Sequence, residues 1–321
     1  MKPALQRRLP LIVTAAVLAV LYVAAGLNYD HFFSLGVAAD LFTDNAALGI
    51  AATGMTLVIF SGGIDLSVGA VVGFTSILVA TLVEKKGVPP VLAAALALGV
   101  GTVLGAGMGA LIHYFRQPAF LITLAGMFLM RGSAYWISTD PTGLSHPALT
   151  KLTLWDWPLG ETAALKLSAV VLLAVLVAGG VIGHFTRFGR NLLALGGSEQ
   201  SALLMGLPVA STRIGVYALN GFFASLAGLA LMLNSGSGNP RDGIGLELDA
   251  IASVVIGGTL LTGGRGNILG TLLGLLIFGV IQSAIRFDGR LDPAWTRIII
   301  GALLLGFILL QRLLGRLGRR A

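Results

Sequence analysis

Few side chains in this sequence can make or break a bond, and their spacing keeps them apart. His31, His113, His146 and His184 fall in loops or at helix ends, and no two have the i, i+4 spacing of a helical metal site. The chain has no cysteine, which excludes disulfides, thiolate metal ligands and a cysteine nucleophile. Neither a Gly-x-Ser-x-Gly elbow nor a Gly-x-x-x-x-Gly-Lys-Ser/Thr phosphate loop occurs, and Asp65 lacks a second aspartate in a protease motif. No metal site, cofactor or catalytic group is expected.

What remains is polar chemistry in apolar surroundings. Asp65 follows Ser61-Gly62-Gly63-Ile64; a carboxylate at membrane depth is costly unless paired or wetted, so it is a functional candidate. Asp65 and Ser67 either cap the next helix, gate a path or touch a solute. Gly62 and Gly63, and Gly263 and Gly264 of Thr262-Gly263-Gly264, can take positive φ as hinges or simply allow close packing. Asn45, Thr123 and Asn220 lie within or at the ends of apolar runs, where they either line a path or bond helix to helix. Arg131, near the end of its helix, is expected to snorkel.

The elements that position these residues are membrane helices. Of 321 residues 56% are apolar and 11% charged, against about 25% charged in soluble domains, and apolar stretches recur at the roughly 20 residues a bilayer crossing needs. The 45 glycines sit inside these runs without a fixed period, as close helix packing in lipid requires. The net charge of +7 is spread over short loops and both ends, which argues topology and not nucleic acid. The expected fold is all-α and polytopic, one domain over 1–321 with about ten crossings: 9–27, 44–61, 66–83, 89–111, 118–137, 167–183, 213–233, 249–262, 267–285 and 295–311.

Lys2, Arg7 and Arg8 before the first crossing, and Arg312, Arg316, Arg319 and Arg320 after the last, put both termini in the cytoplasm by the positive-inside rule. Arg116, Arg187, Arg190, Arg213 and Arg265 then fall on the same side, whereas Lys85, Lys86, Lys151 and Lys166 do not. Most acids, Asp40 and Asp44 among them, fall outside. Ser61-Gly62-Gly63 with Gly69 and Gly73 matches Thr262-Gly263-Gly264 with Gly270 and Gly274 at one constant offset, which points to a helix pair repeated in parallel orientation.

The longest cytoplasmic segment, 183–212, reads as a short helix with its own punctuation: Ser198 as N-cap, Glu199 and Gln200 in the first turn, Gly206 and Pro208 as the stop. Flanked by Arg187 and Arg190, it is either a docking element for a soluble partner or a helix lying on headgroups. The outer segments 138–166 and 234–248 are the natural landing surface for an external protein.

Thr186-Arg187-Phe188-Gly189-Arg190, Ala194-Leu195-Gly196-Gly197, Ala202 and Gly206-Leu207-Pro208 resemble the cytoplasmic coupling loop of the ribose-type sugar ABC importer permeases. Gly54-Met55-Thr56 through Asp65-Leu66-Ser67, Pro118 through Met127, and Glu247 through Gly264 agree in order. Thr43-Asp44-Asn45-Ala46, Phe128 through Gly132 and Phe287-Asp288-Gly289 resemble the galactofuranose importers within that family. Ser198 stands where the family pattern has asparagine; both residues cap helices. The resemblance implies a bacterial inner-membrane subunit, a periplasmic sugar-binding protein, a second permease subunit, identical or related, and a cytoplasmic ABC ATPase on another chain. It also implies coupling roles for Arg187, Gly189, Arg190, Gly196, Gly197, Ser198, Glu199, Ala202 and Gly206. The rival on composition alone is an ion-coupled carrier or channel, which would bury several ionisable groups near the midplane; here almost all acids lie outside the core.

Overall fold

The computed structural model describes residues 3–160, 163–290, 292 and 294–320, and side chains within 11–160, 163–290, 292 and 294–309. The side chains of Lys2, Arg7, Arg8, Arg312, Arg316, Arg319 and Arg320, which carry the terminal part of the topology argument, lie outside that set.

The described residues are almost wholly helical. In chain order the helices are α1 (Pro3–Asn28), α2 (Leu35–Asp44), α3 (Ala46–Phe60), α4 (Val68–Glu84), α5 (Pro90–Tyr114), α6 (Ala119–Ile137) and α7 (Pro147–Thr153). They continue as α8 (Leu167–Phe185), α9 (Arg187–Gly197), α10 (Glu199–Leu204), α11 (Val209–Ser235), α12 (Leu246–Ile256), α13 (Ile268–Asp288) and α14 (Ala294–Arg320). Two short antiparallel pairs tie down loops: β1 (Thr142–Gly143) with β4 (Ser237–Gly238), and β2 (Asp156–Pro158) with β3 (Ala164–Lys166).

Every residue of α3 is buried. A helix apolar all round belongs at the centre, and α3 packs on α8, α11, α12 and α13 while α4 lies against α5, α6 and α11. The apolar windows of α11 and α13 are 61% and 67% buried, those of α1, α5 and α6 only 11%, 28% and 22%. The former pair therefore belongs to the core and the latter three to the rim.

Glycine sets the tightest crossing. A β-carbon on Gly221 of α11 would fall 2.0 Å from the Gly101 carbonyl oxygen of α5, and one on Gly105 would fall 2.1 Å from that of Tyr217. Gly221→Ala is therefore expected to destabilise the protein by about 1–3 kcal/mol, read as a lower melting temperature in detergent micelles; an unchanged transition would contradict so close a crossing.

All ten expected crossings are helical over most of their length, but their lengths divide them. Among the described residues six helices are long and apolar enough to span a membrane (α1 over Leu11–Asn28, α5, α6, α8, α11 and α13), and α2 with α3, bent by 55°, makes a seventh if the pair is one span. The glycine breaks shorten α4 and α12. At 1.5 Å per residue, the 17 residues of α4 rise about 26 Å and the 11 of α12 about 17 Å, short of the roughly 30 Å hydrocarbon layer.

Candidate functional site

The 183–212 segment is two helices, not one. Thr186 caps α9, its Oγ1 accepting from the Gly189 amide at 3.1 Å, and Ser198 caps α10, its Oγ accepting from the Ser201 amide at 3.2 Å. Because α9 is amphipathic, Gly189, Leu192 and Leu195 turn inward while Arg187 and Arg190 stay exposed. Ala202 anchors α10 in a small apolar cluster with Leu195 and Val209. Gly206, at φ +71, turns the chain toward α11. Glu199 pairs with Arg213 at 2.6 Å, half-exposed on the acid side, so the pair is worth no more than about 1 kcal/mol. Leu203, Leu204 and Met205 face outward from α10, 56%, 84% and 65% exposed.

The C-terminal end of α9 meets both glycine breaks at Gly196. A β-carbon on Gly196 would lie 2.0 Å from the Phe60 oxygen and 2.6 Å from the Gly264 nitrogen. The Gly264 amide donates to that same Phe60 oxygen at 3.1 Å. A β-carbon on Gly263 would lie 2.7 Å from the Gly62 Cα and 2.9 Å from the Gly196 Cα, and one on Gly264 2.9 Å from the Gly197 Cα. Gly62, Gly263 and Gly264 have φ of +79, +82 and +74, a region where a β-carbon is strained. Three stretches far apart in sequence thus touch backbone to backbone.

A second polar cluster continues from this break. Asp65, 1% exposed, accepts from the Ser67 amide at 2.8 Å and the Ser67 hydroxyl at 2.6 Å on Oδ1, and from Asn220 Nδ2 at 2.8 Å on Oδ2. Ser67 stands at the N-cap of α4 without a side-chain capping bond, and its hydroxyl donates to Asp65 instead. The Ile64 carbonyl accepts at 3.4 Å from both the Tyr217 hydroxyl and Thr123; Thr123 also donates to Ala119 at 2.9 Å within α6. Asn220 Oδ1 is buried without a partner.

Asp65, Ser67, Thr123 and Asn220 are therefore brought together, whereas Asn45 stands apart. It occupies the α2–α3 bend, donates from Nδ2 to the Leu41 carbonyl at 2.9 Å and fits against Gly279 of α13. All three amide or hydroxyl candidates, Asn45, Thr123 and Asn220, are buried. Sequence reasoning missed Tyr217; its only signal is a polar ring three residues before Asn220 in an apolar helix.

Arg131 does not snorkel. Its Nη1 donates to the carbonyls of Pro240 and Asp242, both at 2.7 Å, and this holds the loop before α12 against α4 and α6. Ser76 donates to Asp242 at 2.6 Å. Burial pushes the Asp242 carboxyl up from the usual range, while the Ser76 and Asn239 bonds and the Arg131 charge act against the rise.

This bundle is similar to known proteins along nearly its whole length. The family model described as branched-chain amino acid transport system / permease component matches residues 37–308. The inner membrane ABC transporter permease protein YjfF of Escherichia coli is 46% identical over 96% of this chain and 93% of its own. The fructose import permease protein FruG of Bifidobacterium longum is 39% identical over 96% and 92%. The ribose import permease protein RbsC of Escherichia coli is 36% identical over 85% of each. None of these three names galactofuranose, and no solved structure matches the chain. A match covering most of the chain, on a multi-pass helical bundle, places this protein in the permease-component family of branched-chain amino acid transport systems.

Proposed function

We propose that the chain is the inner-membrane permease subunit of an ATP-driven importer that takes a monosaccharide from a periplasmic binding protein and releases it into the cytoplasm. The observation that carries this is the contact of α9 with both glycine breaks through Gly196. A soluble ATPase pressing on the exposed side of 183–212 displaces Gly196, and with it the ends of α3 and the turn before α13. Arg187, Arg190, Glu199 and the exposed Leu203, Leu204 and Met205 form the docking face.

The sugar assignment draws on the fructose and ribose names of two relatives; galactofuranose is the narrower proposal and rests on the Thr43 to Ala46, Phe128 to Gly132 and Phe287 to Gly289 motifs. A second permease subunit completes the path. Ten crossings with cytoplasmic termini follow if α4, α12 and α14 count as crossings of uneven length, with Asp65 and its partners forming the gate beside the break. The parallel repeat draws support from matched φ at Gly62 and Gly263, and from Gly69, Gly73, Gly270 and Gly274, each of which meets a neighbouring backbone carbonyl.

The test is reconstitution in liposomes with the ATPase, binding protein and second permease. Replacing Leu203, Leu204 and Met205 together by serine is expected to cut sugar-stimulated ATP hydrolysis by about tenfold or more, as loss of interface anchors worth about 2 kcal/mol does. The melting temperature should hold, because these side chains face outward. Full stimulation in the triple variant would reject the docking face, and a wild-type complex that no sugar stimulates would reject the importer.

A further inference from the structure

At the far end of α13 from the glycine junction lies a cavity of about 370 Å³ lined by Val37, Asp40, Asp44, Ser283, Arg286 and Phe287. Eighteen residues separate Ile268 from Arg286, about 27 Å of helix rise, so the cavity and the junction stand nearly a membrane thickness apart. With 183–212 in the cytoplasm, the cavity opens on the outer face.

Its chemistry is specific. Arg286 Nη1 pairs with Asp44 Oδ2 at 2.6 Å, and Nη2 donates to the Ser283 hydroxyl at 3.3 Å. Asp40, one turn before Asp44, lies within electrostatic reach of Asp44, Arg286 and Lys166, and its carboxylate makes no hydrogen bond among the described residues. The lining holds two carboxylates and one guanidinium, and the Lys166 ammonium near Asp40 offsets the remaining charge, which leaves little to draw an ion. Instead they offer acceptors and donors side by side, the pattern that many hydroxyls satisfy at once. Phe287 packs edge-on against Phe32 with ring centroids 5.4 Å apart and remains 44% exposed, leaving apolar surface for the C–H side of a sugar ring. The volume sits at the low end of small-molecule sites, which run from about 300 to 1,000 Å³.

We propose that this cavity is an outer receiving subsite for one neutral monosaccharide, held by Asp40, the Asp44–Arg286 pair and the face of Phe287. The proposal rests on the importer reading above and adds to it where the sugar first touches the permease. The site lies directly above Asn45, at the bend where α2 turns into the buried α3, so occupancy is felt at a hinge of the core.

Because the chain has no cysteine, Val37→Cys places a single reporter thiol in the cavity, with Ser283→Cys as a second. The full chain in nanodiscs is labelled with a maleimide in the absence and presence of ribose, fructose, galactose and galactofuranose. In parallel, the same sugars are scored for transport by the reconstituted complex. The transported sugar is expected to slow labelling of V37C, and Asp40→Asn to raise the concentration for half-protection about tenfold, as loss of a charged hydrogen-bond acceptor does. Thr150→Cys, in the separate outer cavity beside Lys151 and Trp155, should label at one rate throughout. Transport without protection at either reporter, or protection indifferent to D40N, overturns the subsite and leaves the importer standing. Protection in a complex that transports no sugar keeps the subsite and overturns the importer, and absence of both overturns both.

Discussion

Gly196→Val is expected to reduce sugar-driven transport by about tenfold or more while Gly197→Val, one residue on, leaves it nearly intact. The two glycines are indistinguishable as a sequence motif, but the fold separates them. A side chain at Gly196 would strike the Phe60 carbonyl at 2.0 Å and the Gly264 amide at 2.6 Å, whereas one at Gly197 would meet nothing within 4 Å. Valine at 196 must therefore push α9 away from both breaks, which ends its contact with them, or prise the breaks apart, which breaks the hydrogen bond from Gly264 to Phe60. Coupling free energies of about 1–3 kcal/mol correspond to 5–150-fold effects, and a wedge where α9 meets both breaks should forfeit much of that. The measurement pairs transport with basal ATP hydrolysis: G196V is expected to hydrolyse ATP without moving sugar. Equal transport by the two variants would show that α9 does not act through this contact.

The membrane class, the helical fold and the Ser198 cap and Gly206 stop of α10 were legible in the sequence because each is local. Hydropathy over about 20 residues, a serine before an acidic first turn and a glycine followed by proline are all written within a few positions of the structure they determine. The two breaks were legible as breaks for the same reason. Their meeting was not, since Gly62, Gly196 and Gly263 touch across separations that no periodicity records. The helix count was blurred by the same glycines: hydropathy continues through 249–262, but the helix ends at Ile256 because Gly257 lies against the Gly270 carbonyl and Gly258 takes positive φ.

Arg131 shows a different limit. Its place near a helix end fits snorkelling as well as burial, and only the fold of the loop before α12, brought over α4, supplies the two carbonyls it grips. The path candidates show the same ambiguity. An asparagine in an apolar run reads alike whether it faces a solute or the protein's own interior, and the bond from Asn220 to Asp65 in the break leaves no trace in that pattern.

That contact carries the second large effect. Asp65→Ala is expected to destabilise the protein by about 3 kcal/mol, since it orphans the Ser67 amide and Asn220 Nδ2 in the core and an unsatisfied buried donor costs about 1–3 kcal/mol. Asp65→Asn should cost much less, about 1 kcal/mol, because Asn220 can turn its amide and present the Oδ1 that now lacks a partner to the new Nδ2. In a double-mutant cycle, Asp65→Ala and Asn220→Ala should be non-additive by about 0.5–3 kcal/mol, the combined loss being smaller than the sum. Thermal or denaturant unfolding in detergent supplies all four corners, and additive losses would show that the bond between the two side chains contributes nothing. Transport separates positioning from solute contact. If Asp65 only fixes the break to α11, the Asn variant keeps the KM for sugar and loses, at most, turnover; a raised KM at unchanged stability would instead put the carboxylate in the path.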